Sequence, residues 1–293
     1  MEPSSRRVIK TLKNSAKANV GIIIGSGFDA FFNQFEAIQL ETPYGESAPL
    51  SITDIDGCKV AILARHGVKH GIPPHRINYR ANVFAMHLLG VQRILATNAV
   101  GAINRKLRPG MLVVPHDFVD FTKLRHNTFY DSAPVIHIDM SEPYCPDTRK
   151  ALIQAAKTHS EGVVNGAILV CTEGPRFETP AEISLFQRLA CDIVGMTSFP
   201  EVVLARELAI CYASICCVSN MASGLQPAQN MDDLASITDG KRSILEQILK
   251  EAVPLLPSPR SCTCATAVKD TAFQWLDRHA KGIPFDDRRL QDL

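Results

Sequence analysis

Apolar and polar runs alternate along the chain in two periods, one for strands and one for helices. Val20-Gly21-Ile22-Ile23-Ile24 is an unbroken apolar, β-branched run, as expected of a strand buried on both faces, and Gly25-Ser26-Gly27 ends it. Leu50-Ser51-Ile52 and Val60-Ala61-Ile62-Leu63 read as a strand pair, with Asp56-Gly57 marking a hairpin turn. Over 78–90 the apolar residues Ala81, Phe84, Ala85, Leu88 and Leu89 fall at helical spacing, and Gly90 supplies the stop. Further strands are predicted at 93–97, 111–114, 166–170, 193–195 and 211–218, and further helices at 147–156, 200–208, 231–253 and 265–281. The stretch 117–146 is long, polar and aromatic, with few helical cues. It reads as a loop of the kind that is functional or packed on a partner. Strands alternating with helices place the chain in the α/β class.

The strand ends carry the chemistry. Four of them, at 25–27, 64–67, 97–101 and 195–197, combine glycine with polar residues. Four such ends converging on one sheet suggest a small-molecule site. Gly25-Ser26-Gly27 offers backbone N–H groups and a hydroxyl to an anion, although taken alone a plain tight turn explains it better. Arg65-His66 supplies a forked guanidinium and a second donor, with structural pairing of Arg65 to a carboxylate as the alternative. A fifth junction follows the strand at 166–170. There Thr179-Pro180-Ala181-Glu182 reads as an N-cap, a proline at the first helical position and an acidic first turn. Arg176, Phe177 and Glu178 stand just before it, where open α/β sheets place ligands. The plainer possibility is a well-capped connection with Phe177 in the core.

Composition narrows the picture by exclusion. The 293 residues are 46% apolar and 21% charged, with a formal net charge of +1. That suits a soluble globular protein and gives no reason to expect nucleic acid or a membrane surface as partner. No run approaches a membrane span, and the N-terminus lacks the apolar core of a secretory signal, so a cytoplasmic location is expected. The nine cysteines are odd in number and fall mostly inside predicted strands and helices, against a secreted disulfide framework. Cys262-Thr263-Cys264 lies in a polar tail. It reads as two free surface thiols or a tight disulfide. No His/Cys set has the spacing of metal ligands along the chain, so no metal is expected. No GxGxxG is followed by an acidic residue at the distance a dinucleotide site needs.

Several of these stretches together resemble the trimeric purine nucleoside phosphorylase and methylthioadenosine phosphorylase family. They are Gly25-Ser26-Gly27, Thr42-Pro43-Tyr44-Gly45, Ala64-Arg65-His66-Gly67, Asn78-Tyr79-Arg80-Ala81-Asn82, Thr97-Asn98-Ala99-Val100-Gly101, Ser141-Glu142-Pro143-Tyr144-Cys145, Gly174-Pro175-Arg176-Phe177-Glu178-Thr179, Gly195-Met196-Thr197 and Pro200-Glu201-Val202. The resemblance runs over 20–253. It implies one nucleoside phosphorylase domain at 18–256, with a central mixed, distorted sheet flanked by helices. A basic arm at 1–17 precedes it and an extension with a helix at 257–293 follows. It implies a homotrimer, or a dimer of trimers, with sites near subunit interfaces. The implied reaction is phosphorolysis of a purine nucleoside, with inorganic phosphate as co-substrate and no cofactor.

By position, the resemblance assigns Ser26, Arg65, His66, Asn98, Ala99 and Thr197 to phosphate, Met196 to the ribose and Phe177 to the purine face. Glu178 and Asn220 take the base-reading and catalytic positions of the 6-oxopurine branch. Adenine-preferring members carry an acidic pair where this chain has Ser219-Asn220-Met221-Ala222. A Glu carboxylate accepts from N1–H of a 6-oxopurine, and an Asn amide donates to O6 or N7. Adenine reverses that edge. Met231 stands where members that take a 5′-hydroxyl have a histidine, and a thioether suits a 5′-methylthio group better. His137 matches a residue that reaches the same pocket across the trimer interface. Phe273, Trp275 or Leu276 of the extension could close a neighbour's pocket. The expectation is therefore a phosphorylase favouring 6-oxopurines and 5′-methylthioinosine. The alternatives are a 5′-methylthioadenosine phosphorylase and a non-catalytic nucleoside-binding protein.

Overall fold

A computed structural model describes residues 17–25, 37–67, 71–131, 135–159, 163–227, 231–268 and 270–280. In chain order the elements are β1 (Val20–Ile24), a ribbon of β2 (Glu41–Thr42) and β3 (Gly45–Glu46), β4 (Leu50–Ile55), β5 (Cys58–Ala64), α1 (Tyr79–Leu88), β6 (Arg93–Ala102), β7 (Leu112–Val114), β8 (Asp117–Phe121), α2 (Pro146–His159), β9 (Val164–Asn165), β10 (Ile168–Thr172), α3 (Pro180–Arg188), β11 (Ile193–Gly195), α4 (Ser198–Glu207), β12 (Cys211–Met221), α5 (Met231–Ala252) and α6 (Asp270–Ala280). Short 3-10 turns cover Pro74–Arg76 and Thr263–Thr266. The fold is a single mixed α/β domain, as expected.

Ten strands form one sheet, with β4-β5-β1-β6-β11-β10-β8 in order and β12, β7 and β9 branching from β6. Strand β6 is its spine, paired along its whole length with parallel β12. On the other edge β6 pairs with parallel β1 through Ala96, then with antiparallel β11 from Gly101. Between those partners, residues 97–100 have a strand neighbour on the β12 side only. The sheet thus opens at the tip of β1.

Both faces of the sheet are covered, which explains the unbroken apolar strands. Ile22, Leu95 and Ile215 pack under α2 and α5 through Leu152, Ala156, Leu245 and Ile248. Ile23, Ile94 and Ala96 pack on the opposite face with Phe84, Met86, Val202 and Leu204 of α1 and α4. The hairpin turn is as expected, with Asp56 and Gly57 both at positive φ (50° and 78°). The Asn78 side chain accepts from Ala81 N, so the residue opening the predicted helix at 78 is its cap. At α3 the Thr179 hydroxyl and the Glu182 carboxylate form a reciprocal capping box.

Three expectations are corrected. The stretch 117–146 is not all loop, because β8 pairs with parallel β10 over Asp117 to Phe121. The last helix begins at Asp270 rather than 265, after a separate 3-10 turn. Trp275 and Leu276 are buried in their own chain's core, and the Trp275 ring stands 5.6 Å from that of Tyr130. They have no surface left with which to close a neighbour's pocket. Phe273 is partly buried, its ring 6.4 Å from His87 and near-parallel to it.

Candidate active site

The opening in the sheet leads into a cavity of about 410 Å³, within the ~300–1,000 Å³ usual for small-molecule sites. Gly25, Arg65, His66, Asn98, Ala99 and Thr197 line it, together with Phe177, Glu178, Ser219, Asn220 and Met196. Of the residues expected here, Ser26 lies outside the described residues, as does the side chain of Met231. His137 is exposed and away from its own chain's cavity.

Arg65 is buried at the end of β5. Its Nε and Nη2 donate to the two carboxylate oxygens of Glu201, at 2.5 and 2.9 Å, and Nη1 donates to Thr97 O at 2.8 Å. Tyr212 donates its hydroxyl to Glu201 Oε2 at 2.8 Å. Burial alone works against the charge on Arg65, but the Glu201 carboxylate outweighs it and holds the guanidinium protonated. The structural pairing weighed in the sequence is therefore present. It engages three of the five guanidinium N–H groups, and an anion could take the other two. Gly25 N donates to Thr97 Oγ1 at 2.9 Å, so side-chain and backbone bonds replace ladder bonds at the opening. A Cβ on residue 25 would meet Thr97 O at 2.9 Å and Arg65 Nη1 at 3.0 Å, which makes glycine a steric requirement there.

A second chain of bonds runs from β12 through β6 to Thr197, the residue that caps α4. Ser214 Oγ donates to Asn98 Oδ1, and Asn98 Nδ2 donates to Thr197 Oγ1 at 2.8 Å. With its oxygen accepting from Asn98, the Thr197 hydroxyl can direct its own proton to an anion. The Nδ1 atom of His66 lies 2.8 Å from Ile72 O. A carbonyl only accepts, so Nδ1 carries a proton. The Thr197 hydroxyl, the remaining Asn98 amide N–H and the Arg65 guanidinium therefore offer protons to the cavity, and the His66 ring stands beside them.

Glu178, also on the lining, is buried and its Oε1 accepts from the Thr172 hydroxyl at 2.7 Å. That bond orients the carboxylate and leaves Oε2 for a ligand. Asn220 lies just past a bulge in β12, where the ladder to β6 steps from Val218–Val100 to Asn220–Gly101. The extra residue, Ser219, re-aims the next side chain. Asn220 Nδ2 donates to Met221 O at 2.9 Å, and Ser219 Oγ donates to Asn220 Oδ1 at 2.7 Å. The carbonyl partner fixes which end of the amide is the donor. Gly101 leaves room for that amide, since a Cβ there would stand 3.2 Å from Asn220 Nδ2. Gly174, at φ 65°, is similarly needed: its Cβ would fall 2.6 Å from the Met196 sulfur.

The match to the phosphorylase superfamily runs over residues 19–253. The chain belongs to this superfamily. It is 48% identical over 257 residues to a protein of Methanothermobacter thermautotrophicus named probable S-methyl-5′-thioinosine phosphorylase, covering 85% of this chain and 89% of that one. It is 41% identical over 251 residues to the S-methyl-5′-thioadenosine phosphorylase of Pyrococcus horikoshii, covering 85% and 97%. The fold is similar to that of a methylthioadenosine phosphorylase sourced from an antarctic soil metagenomic library. That likeness has a TM-score of 0.81 and 33% identity over 87% of this chain and 92% of that one.

Sequence reasoning missed parts of this phosphorylase site. Glu201 was quoted within a motif but given no role, and it lies 136 positions from the arginine it holds. Tyr79 donates its hydroxyl to Pro74 O at 2.9 Å, fixing the Pro73-Pro74 wall of the cavity. Arg125 stands 5.1 Å over the Tyr79 ring and donates to Thr172 O and Glu173 O at 3.1 and 2.9 Å. It thus braces the segment that carries Glu178, and only its place in an aromatic-rich loop hinted at this. Spacing along the chain also gave no metal-ligand set, whereas folding brings Cys145, Cys211, Cys262 and Cys264 together. Cys264 is buried rather than a surface thiol.

Proposed function

We propose that the chain is a purine nucleoside phosphorylase preferring 5′-methylthioinosine, cleaved with phosphate to hypoxanthine and 5-methylthioribose 1-phosphate. The observation that carries this reading is the pairing, within one cavity, of the Arg65–His66–Thr197 corner with the Glu178–Asn220 edge. Phosphate held by Arg65, His66, Asn98, Thr197 and the Gly25 backbone is positioned to attack C1′. As the glycosidic bond breaks, positive charge grows on the ribose, and the bound phosphate dianion stabilises it. Met196 lies under the sugar and Phe177 packs on the purine. Negative charge moves to the base, where Asn220 Nδ2 donates to N7 or O6 and Glu178 Oε2 accepts from N1–H. Phosphate is a co-substrate, and these steps need no cofactor.

The acceptor–donor order of Glu178 and Asn220 favours a 6-oxopurine, and the relative named for thioinosine is consistent with that. The relatives named for thioadenosine keep the adenine substrate as the second reading. The residue Met231, in place of a histidine, supports the 5′-methylthio preference. A homotrimer, or a dimer of trimers, accords with Leu124 and Val135, exposed at 88% and 75% in the segment that also carries His137. Among the described residues no helix is long and apolar enough to cross a membrane, which accords with a cytoplasmic enzyme. The test is phosphate-dependent turnover of inosine, adenosine and their 5′-methylthio analogues. Highest kcat/KM on 5′-methylthioinosine is expected. Preference for the 6-amino substrates would overturn the base assignment, and no phosphate-dependent cleavage of any of them would overturn the activity.

A further inference from the structure

Cys145, Cys211, Cys262 and Cys264 come from three remote parts of the chain, and their four Sγ atoms all lie within 4.8 Å of one another. Cys145 directly precedes α2, Cys211 opens β12, and Cys262 and Cys264 flank the start of a 3-10 turn in the C-terminal extension. Cys145, Cys211 and Cys264 are buried and Cys262 is partly so. The Cys211 and Cys262 sulfurs are 3.4 Å apart. Zn–S bonds of about 2.3 Å in a tetrahedron place sulfurs about 3.8 Å apart, so the spacing suits four ligands around one ion.

The surroundings are those of an anionic cluster. Arg206 is buried, and Nη1 donates to Cys264 Sγ at 3.2 Å. Among the described residues no carboxylate pairs with Arg206, and its Nε has no hydrogen-bond partner. A buried guanidinium requires a compensating negative charge; the Asp139 carboxylate acts on it only through space, and the Cys264 sulfur is the group that accepts from it. Cys145 O accepts from Arg149 N, so Cys145 sits at the N-terminus of α2, where the helix dipole favours a thiolate. The nearby Asp147 carboxylate is used otherwise: it accepts from Ser261 N and Oγ and from Cys262 N, shaping the loop that presents Cys262. Four thiolates and a divalent zinc carry a net charge of −2, partly offset by Arg206 and the helix end.

We propose that these four cysteines bind one structural Zn²⁺ ion that ties the C-terminal extension to the start of β12 and α2. Four soft thiolates in a closed, buried set select zinc over the hard cations. The role is structural, since Cys211 and Asn220 stand at opposite ends of β12, about 30 Å apart at strand rise.

The full chain, purified under reducing conditions from zinc-supplemented medium, is tested by elemental analysis, thiol counting and thermal melting with and without a strong chelator. One zinc per chain is expected, together with a melting temperature that falls on chelation and recovers on adding Zn²⁺. Cys264→Ser should lose the zinc, whereas Cys58→Ser, outside the cluster, should retain it. Should Cys264→Ser fail to fold, Co²⁺ added to reduced, metal-free wild-type protein should give thiolate-to-cobalt charge-transfer bands. Two results would overturn the proposal. One is four reactive cluster thiols with no bound metal and no cobalt spectrum. The other is an unreduced mass lower by two hydrogens for each of two disulfides among these cysteines.

Discussion

Replacing Glu178 with Gln tests whether one buried carboxylate sorts purines. The side chain is buried, with Oε1 held by the Thr172 hydroxyl at 2.7 Å, so the variant amide keeps its place and size and loses only charge. For a 6-oxopurine, N1–H then donates to a neutral oxygen instead of an ionised one, a loss of about 1–1.5 kcal/mol. For adenine the change has the opposite sign. Wild-type Glu178 turns a lone pair towards the N1 lone pair, an unsatisfied contact costing about 1–3 kcal/mol, which a Gln amide relieves by turning its NH₂ inward. The two effects sum to about 2–4.5 kcal/mol, so the kcat/KM ratio of 5′-methylthioinosine to 5′-methylthioadenosine should fall by between about 30-fold and about 2,000-fold. The assay is the initial rate of free base release from each nucleoside at saturating phosphate. Thr172→Val, which frees the carboxylate without altering its charge, should lower the 6-oxopurine rate and leave the discrimination largely in place. An unchanged ratio in Glu178→Gln, with both substrates slowed alike, would refute the base-reading role.

Glu201→Gln breaks the bidentate pair with buried Arg65, and leaving that charge uncompensated should lower unfolding free energy by about 3–5 kcal/mol in denaturant titrations. The KM for phosphate should rise with it, as the guanidinium loses its anchor. Gly25→Ala should weaken phosphate more than nucleoside, because the new Cβ meets Thr97 O and Arg65 Nη1 at about van der Waals limits or closer; equal KM changes for both substrates would count against that. The Glu182 carboxyl is held down from 4.5 to about 2, first by the Arg176 guanidinium and next by Thr179 N. A depressed carboxyl contributes stability above its unfolded pKa and loses it as pH falls, so α3 should loosen between about pH 4.5 and pH 2. Glu182→Gln should destabilise at pH 7 by no more than about 1 kcal/mol, given its exposure, and the difference from wild type should vanish near pH 2.

Legibility in the sequence followed the range of the interaction. The cap at Thr179 with Glu182 in the first turn and the turn at Asp56-Gly57 are local, and their residues announced them. Strand β8 was missed because it pairs only along one side of the sheet, and its exposed residues mask the strand pattern with aspartates at 117 and 120. The Arg65–Glu201 pair and the cysteine cluster join positions tens to more than a hundred residues apart, and nothing near either residue signals its partner. For the same reason Trp275 was misread: its amphipathic helix is visible locally, but the surface it packs against is not.

The cavity exists because the sheet fails in two places. At 97–100 strand β6 has left β1 and not yet joined β11. The backbone groups exposed there cannot remain bare in a buried site: Arg65 donates to Thr97 O, while Gly25 N donates to the Thr97 hydroxyl. That places a cation and the Gly25 backbone at the gap, which suits an anion. At Ser219 the β12 ladder slips by one residue. Because strand side chains alternate in direction, that single insertion decides which face Asn220 presents. An ideal sheet through the same residues would pair 97–100 fully and direct residue 220 to the other side. The opening and the bulge are thus departures from regular pairing kept in a core that is otherwise continuous, and the phosphate corner and base edge we propose occupy those two faults.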